Sequence, residues 1–187
     1  MNRYGIKNHL SLIVLIILVI FGCTQGKKEK SNKDIVMRAW EEGFNQGKMD
    51  VIRELFDESY IELTPYDTIA QGGVERPLQA YEWMQSVFGD IHFEVEQMLA
   101  EGDFVFSRVM ATGNHVGKFL GVPATNRPVK FAAVVVSKIA NGKHVQDWSF
   151  IDSRAILKQI DNSKTDQSRE EKNKEIIRRL IDEGINE

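Results

Sequence analysis

Between Leu12 and Ile20 the chain is almost wholly aliphatic, whereas Thr24–Lys33 (TQGKKEKSNK) carries no large apolar side chain. Ile35, Val36, Ala39, Trp40 and Phe44 then recur at the spacing of one helix face. Gly43 and Gly47 mark a break, and Asp50 is placed to cap a second helix through Val51, Ile52, Leu55 and Phe56. Tyr60–Leu63 is short and strand-like. Pro77 suits the first turn of a third helix that runs through Tyr81, Trp83, Met84 and Val87 to Phe88. After Gly89 the period shortens: His92–Ala100, Asp103–His115, Pro128–Ala140 and Lys143–Ile151 are β-rich. Glu101-Gly102-Asp103, the Gly117–Arg127 loop and Asn141-Gly142 separate them, the last being a strong signal for a two-residue hairpin. Helices followed by long antiparallel strands predict an α+β domain with helices packed on one face of a sheet.

The two ends have a different character. Arg3 and Lys7 precede the aliphatic run, and Phe21-Gly22-Cys23 follows it at once. The run falls short of the roughly 20 apolar residues that span a bilayer, which fits a cleaved signal over residues 1–22. A flexible tether over 23–33 would lead to a domain at 34–160. Residues 161–172 read as a solvated linker. Asn173–Glu187 then repeats Asn32–Gln46: Asn, Lys, Ile, Arg, Glu, Gly and Asn recur at 173, 174, 176, 179, 183, 184 and 186. The tail thus reads as a helix resembling the start of a second repeat.

Composition narrows the chemistry. Cys23 is the single cysteine, so neither a disulfide framework nor a cysteine metal site is available. Loss of residues 1–22 moves the net charge from −3 to −5, which gives no electrostatic case for nucleic acid. No His, Asp and Glu cluster has metal-ligand spacing, and no Ser or Cys nucleophile motif is present.

Candidate chemistry gathers at the end of the last strand, Asp147-Trp148-Ser149-Phe150-Ile151-Asp152. Strand parity sets His144, Gln146, Trp148, Phe150 and Asp152 on one face and Val145, Asp147, Ser149 and Ile151 on the other. Asp152 therefore shares the indole's side and Asp147 does not. An apolar surround disfavours the charged form of a carboxyl and suits it to proton transfer. Asp152 is equally well placed to cap a helix beginning at Ser153. Arg108 shares a strand face with Phe104, Phe106 and Met110 and needs a partner such as Asp152, Glu62 or an anionic ligand. Tyr60 and Trp83 are candidates to line a cavity under the sheet, and His92 and His144 read as surface positions.

Glu101-Gly102-Asp103-Phe104-Val105, Gly113-Asn114-His115-Val116-Gly117-Lys118-Phe119-Leu120-Gly121-Val122-Pro123 and Asn141-Gly142-Lys143 with Trp148 and Asp152 resemble the SnoaL-like polyketide cyclases, or ester cyclases, of the NTF2-like superfamily. The resemblance covers roughly Asn32–Ile160 and includes the closing Leu157-Lys158-Gln159-Ile160. It implies a cone of helices on a curved antiparallel sheet enclosing a ligand pocket, and aldol ring closure by general acid/base catalysis without metal or organic cofactor. It assigns the acid/base role to Asp152 and sets the family's histidine at His115, which is expected to assist. Trp148, Arg108, Gln146, Tyr60 and Trp83 are the expected substrate contacts. Asn114, Ala124-Thr125-Asn126-Arg127, Leu63 and Gln146 depart from the family pattern. The cysteine context resembles a bacterial lipobox, which implies lipidation at Cys23 and a membrane-anchored, extracytoplasmic domain. Three functions follow as expectations: a cofactor-free cyclase, isomerase or hydrolase acting on a small, largely apolar carbonyl compound, a module that binds such a molecule without chemistry, or an interaction domain that dimerises through its sheet. A homodimer formed through the sheet is a further expectation.

Overall fold

Alternation of buried and exposed residues along the two longest strands fixes which face of the sheet is covered. In the computed structural model, residues 25–63, 69–70, 72–161 and 171–179 are described. The strands are β1 (Phe56–Leu63), β2 (Ile69–Ala70), β3 (His92–Glu101), β4 (Phe104–Asn114), β5 (Pro128–Ala140) and β6 (Lys143–Ile151). They form one six-stranded sheet in the order β2-β1-β6-β5-β4-β3. Val105, Ser107, Val109 and Ala111 of β4 and Val129, Phe131, Ala133, Val135, Ser137 and Ile139 of β5 are buried, and their even-numbered neighbours point the other way. Asn141 and Gly142 both take positive φ, as the two-residue turn between β5 and β6 requires.

The α+β expectation of helices packed on a curved sheet holds, with one departure in pairing. β1 runs parallel to β6 rather than antiparallel, and it starts at Phe56, before the expected Tyr60. The tether expectation fails over residues 25–33. That stretch is helical, part of α1 (residues 25–38), because polar side chains fasten it to the β3–β4 turn. Asn32 Nδ2 donates to the Gly102 carbonyl at 3.0 Å, Glu29 Oε1 accepts from the Gly102 amide, and Lys28 pairs with Asp103. Residues 1–24, with the expected signal and Cys23, lie outside the described residues. Of the repeated tail, 171–179 is helical with Ile176 and Ile177 exposed, and 180–187 lies outside the described residues.

α1 continues directly into a π-helical segment, Ala39–Asn45, whose wider turn is a frequent device beside functional sites. Gly43 permits it, since a Cβ there would collide with Ile52 of α2 (Met49–Leu55). At its end the Asn45 amide donates to the Phe93 carbonyl and accepts from the Phe93 amide, both at 2.8 Å. β3 is an edge strand, so this amide meets backbone groups that have no neighbouring strand. α3 (Glu75–Val87) closes the remaining side, and α4 (Ser153–Ile160) packs Ile156 and Ile160 under the core around Phe88 and Phe131.

Candidate functional site

A cavity of about 130 Å³ lies between the helices and the covered face of the sheet. Trp40, Phe44, Phe56, Met84, Phe93 and Val135 supply apolar walls. Polar side chains concentrate in a row across three strands. Glu62 on β1 is the register partner of Asp147 on β6, which is in turn the partner of Ser137 on β5. Tyr60, Tyr81, His144 and Ser149 add to the polar lining.

Asp147 is 6% exposed and His144 2%. Taking charge out of water is costly unless it is paired, and these two pair with one another: His144 Nδ1 lies 3.2 Å from Asp147 Oδ1. The imidazole is held flat on Phe56, with ring centroids 4.3 Å apart and planes within 11°. The buried Tyr60 hydroxyl also hydrogen-bonds Asp147. Burial above all, then the charges of Asp147 and Glu62, holds its phenol far above the ordinary tyrosine range, so it remains a donor. Glu62 is balanced separately by Arg76, with Nε 2.6 Å from Oε2 in an ion pair whose geometry is not that of a hydrogen bond. Besides Glu62 Oε2, two buried atoms of the lining, His144 Nε2 and Ser137 Oγ, have no hydrogen-bond partner among the described residues.

The structure places most of the sequence-selected residues elsewhere. Asp152 is exposed at the start of α4, and its Oδ1 accepts from the Ala155 amide at 2.9 Å, the helix-capping alternative. Trp148 and Gln146 point to the outer face, where Trp148 meets Phe104 at 6.2 Å. Arg108 is on that face too, in an ion pair with Glu96, so neither Asp152, Glu62 nor a cavity ligand is its partner. Trp83 is 47% exposed and packs against Phe88 and Phe119 rather than into the cavity. His115 is buried away from the lining, with Nδ1 3.0 Å from Thr125 Oγ1, and burial lowers its pKa. Tyr60 is in the lining. His144, read as a surface residue, is at the centre of the polar cluster.

One inserted residue explains the reversal. A two-residue turn at Asn141-Gly142 pairs Ala140 with Lys143 and Ile139 with His144, yet the next pair is Lys138 with Gln146. Val145 is thus a β-bulge. Beyond it every side chain of β6 sits on the face opposite to the one that the turn alone dictates. Asp147, Ser149 and Ile151 face in, and Trp148 and Phe150 face out. His144, before the bulge, joins Asp147 on the inner face.

Among the described residues no group of three or more His, Cys, Asp or Glu side chains could hold a metal ion. Comparison with known proteins gives a consistent result. A family model described as SnoaL-like polyketide cyclase matches residues 34–160. Aklanonic acid methyl ester cyclase DnrD of Streptomyces peucetius is 26% identical over 117 residues, 60% of this chain and 81% of that protein. Nogalonic acid methyl ester cyclase of Streptomyces nogalater is 24% identical over 118 residues, 63% of this chain and 88% of that protein. Among solved structures, a SnoaL-like polyketide cyclase from Jannaschia sp. CCS1 matches with a TM-score of 0.64 and 27% identity, covering 71% of this chain and 92% of that one. IdmH of Streptomyces antibioticus, described as a polyketide cyclase, matches with a TM-score of 0.61 and 27% identity, over 68% and 96%.

Asp152→Ala is expected to remove the α4 cap and lower stability by about 1 kcal/mol in urea denaturation. Side-chain NMR signals of Tyr60 and His144 should stay at their wild-type positions; a shift at both would tie Asp152 to the cavity.

Proposed function

The chain belongs to the SnoaL-like polyketide cyclase family, and we propose that it catalyses proton transfer next to a carbonyl of a small, largely apolar compound, leading to cyclisation or isomerisation without a cofactor. The observation that carries this reading is Asp147: a buried carboxylate at the polar end of an apolar cavity, bonded to Tyr60 and His144.

In this mechanism an Asp147 carboxylate oxygen accepts the proton from the carbon acid. The electron pair left on carbon delocalises onto the carbonyl oxygen, where donors at the polar end meet the developing charge. The carbanion carbon forms the new bond to a second carbonyl of the same molecule, or is reprotonated at a different carbon. Asp147 returns its proton to the resulting alkoxide or carbon, and the carboxylate is restored. The Tyr60 hydroxyl and His144 Nδ1 hold the carboxylate in position throughout, and Arg76 keeps Glu62 from adding an unbalanced second charge. Apolar walls exclude water, which strengthens each of these interactions.

The leader is part of the same proposal. Arg3, Lys7, the Leu12–Ile20 run and Gly22-Cys23 support removal of residues 1–22, acylation of Cys23 and an extracytoplasmic domain held at a membrane. The outer face of the sheet, with Phe104 and Phe150 exposed beside Trp148, supports a homodimer formed across it.

Three measurements check these statements. Wild-type protein should speed incorporation of solvent deuterium next to the carbonyl in a panel of small cyclic ketones and keto methyl esters, and Asp147→Asn should lower that rate by about 100-fold or more. Binding without exchange across the panel would instead favour a module that captures a small molecule without chemistry. Cys23→Ala should abolish incorporation of a palmitate analogue in a bacterial host; labelling that persists refutes acylation at that residue. In sedimentation velocity, Trp148→Glu should convert a dimer to a monomer, whereas a monomeric wild type removes the dimer.

A further inference from the structure

The polar end of the cavity holds more than the proposed chemistry uses. Buried polar atoms in folded proteins nearly always have a partner, yet His144 Nε2 and Ser137 Oγ, on residues 2% and 1% exposed, have none among the described residues. Both residues line the same cavity on adjacent strands. Their hydrogen-bonding capacities differ. An ionised Asp147 only accepts, so a neutral His144 presents its Nδ1 proton to the carboxylate and keeps the lone pair on Nε2. That nitrogen is an acceptor. Ser137 sits directly across from Asp147 in the β5–β6 register, and its hydroxyl is free to donate. Cross-strand diagonal neighbours on one face are about 7 Å apart, the separation of Ser137 from the position opposite Ile139 where His144 lies. A molecule bridging them carries its acceptor and its donor on different atoms of one small skeleton.

The cavity limits that skeleton. At about 130 Å³ it compares with the roughly 150 Å³ apolar cavity that accepts one benzene molecule. Its walls, apart from the polar row, are aromatic and aliphatic.

Resting on the reading of this cavity as the reactive site, we infer that Ser137 and His144 are its specificity residues, selecting a neutral, single-ring molecule whose carbonyl and hydroxyl groups are in 1,3 relation. Ser137 Oγ–H donates to the carbonyl oxygen, and the ligand hydroxyl donates to His144 Nε2. The carbon between the two groups then faces Asp147, which lies beside both residues. The carbon proton itself goes to Asp147, so recognition is read by binding and proton transfer by deuterium exchange.

The test uses 3-hydroxycyclohexanone, with cyclohexanone lacking the donor and cyclohexanol lacking the carbonyl, titrated into the full-length protein by NMR. Wild type should bind 3-hydroxycyclohexanone about tenfold more tightly than either control, the effect of one satisfied buried hydrogen bond. Ser137→Ala should weaken 3-hydroxycyclohexanone and cyclohexanone about tenfold and spare cyclohexanol. His144→Phe, which keeps the stack on Phe56, should weaken 3-hydroxycyclohexanone and cyclohexanol and spare cyclohexanone. The wild-type ranking stands independently if His144→Phe does not fold. Equal affinities for the three compounds, or no binding of any, overturn the inference. The crossed pattern without deuterium exchange would retain these recognition roles while removing the catalytic reading. Exchange without the crossed pattern would do the reverse.

Discussion

The β-bulge at Val145 is the constraint on which the site depends. Side chains on a strand alternate with a period of two, so a single inserted residue transfers everything beyond it to the opposite face. The register moves from Ile139–His144 to Lys138–Gln146 at that point. Without the insertion, the tight turn at Asn141-Gly142 would pair Asp147 with Val136, on the outer face, and bring Trp148 inward. With it, Asp147 stands opposite Ser137 and next to Glu62, on the side that His144, paired with Ile139 ahead of the bulge, already faces. The polar end of the cavity is thus assembled from three strands by one irregularity.

Burying such a cluster has to be offset locally. Glu62 and Asp147 face each other across the parallel β1–β6 pair, where two uncompensated carboxylates would repel strongly at low dielectric. Glu62 is balanced by the charge of Arg76 from α3, and Asp147 is held by hydrogen bonds from neutral partners, His144 of β6 and Tyr60 of β1. Tyr60 lies between the two acids as a neutral donor, because burial and both negative charges oppose its ionisation. The helices contribute mainly shape. Gly43 lets the π-helical segment close on α2, and Asn45 pins that segment to the free edge of β3, which holds Trp40 and Phe44 against the cavity.

Much of the fold was legible in the sequence because it rests on patterns several residues long. The four long strands, the Asn141-Gly142 turn and the three packed helices each carry a periodic signal, and the family resemblance agrees with them. The site was legible only in part. Asp147 is in β6 and Asp152 just past its end; parity sets the two apart but cannot say which face is inward. Phe131, Val135 and Ile139 alternate with Lys130 and Lys138 and identify the inner face of β5. Carrying that face across the hairpin requires the register, and a bulge at Val145 has no signature in residue type. His144 precedes the bulge, and the turn alone sets it opposite the inward-facing Ile139; the surface reading took its polarity for exposure. The polar start of α1 was read as a tether because its anchoring is by Asn32, Glu29 and Lys28 to a turn, rather than by apolar burial.

The central claim is that the bulge brings Asp147, and not Asp152, into the cavity. Cross-strand proton NOEs between β5 and β6 test it most directly. The account predicts contacts pairing Asp147 with Ser137 and Trp148 with Val136, with the slip confined to Val145. Contacts pairing Asp147 with Val136 and Trp148 with Val135 would mean an unbroken hairpin, an outward Asp147 and an indole inside the cavity, and would contradict it.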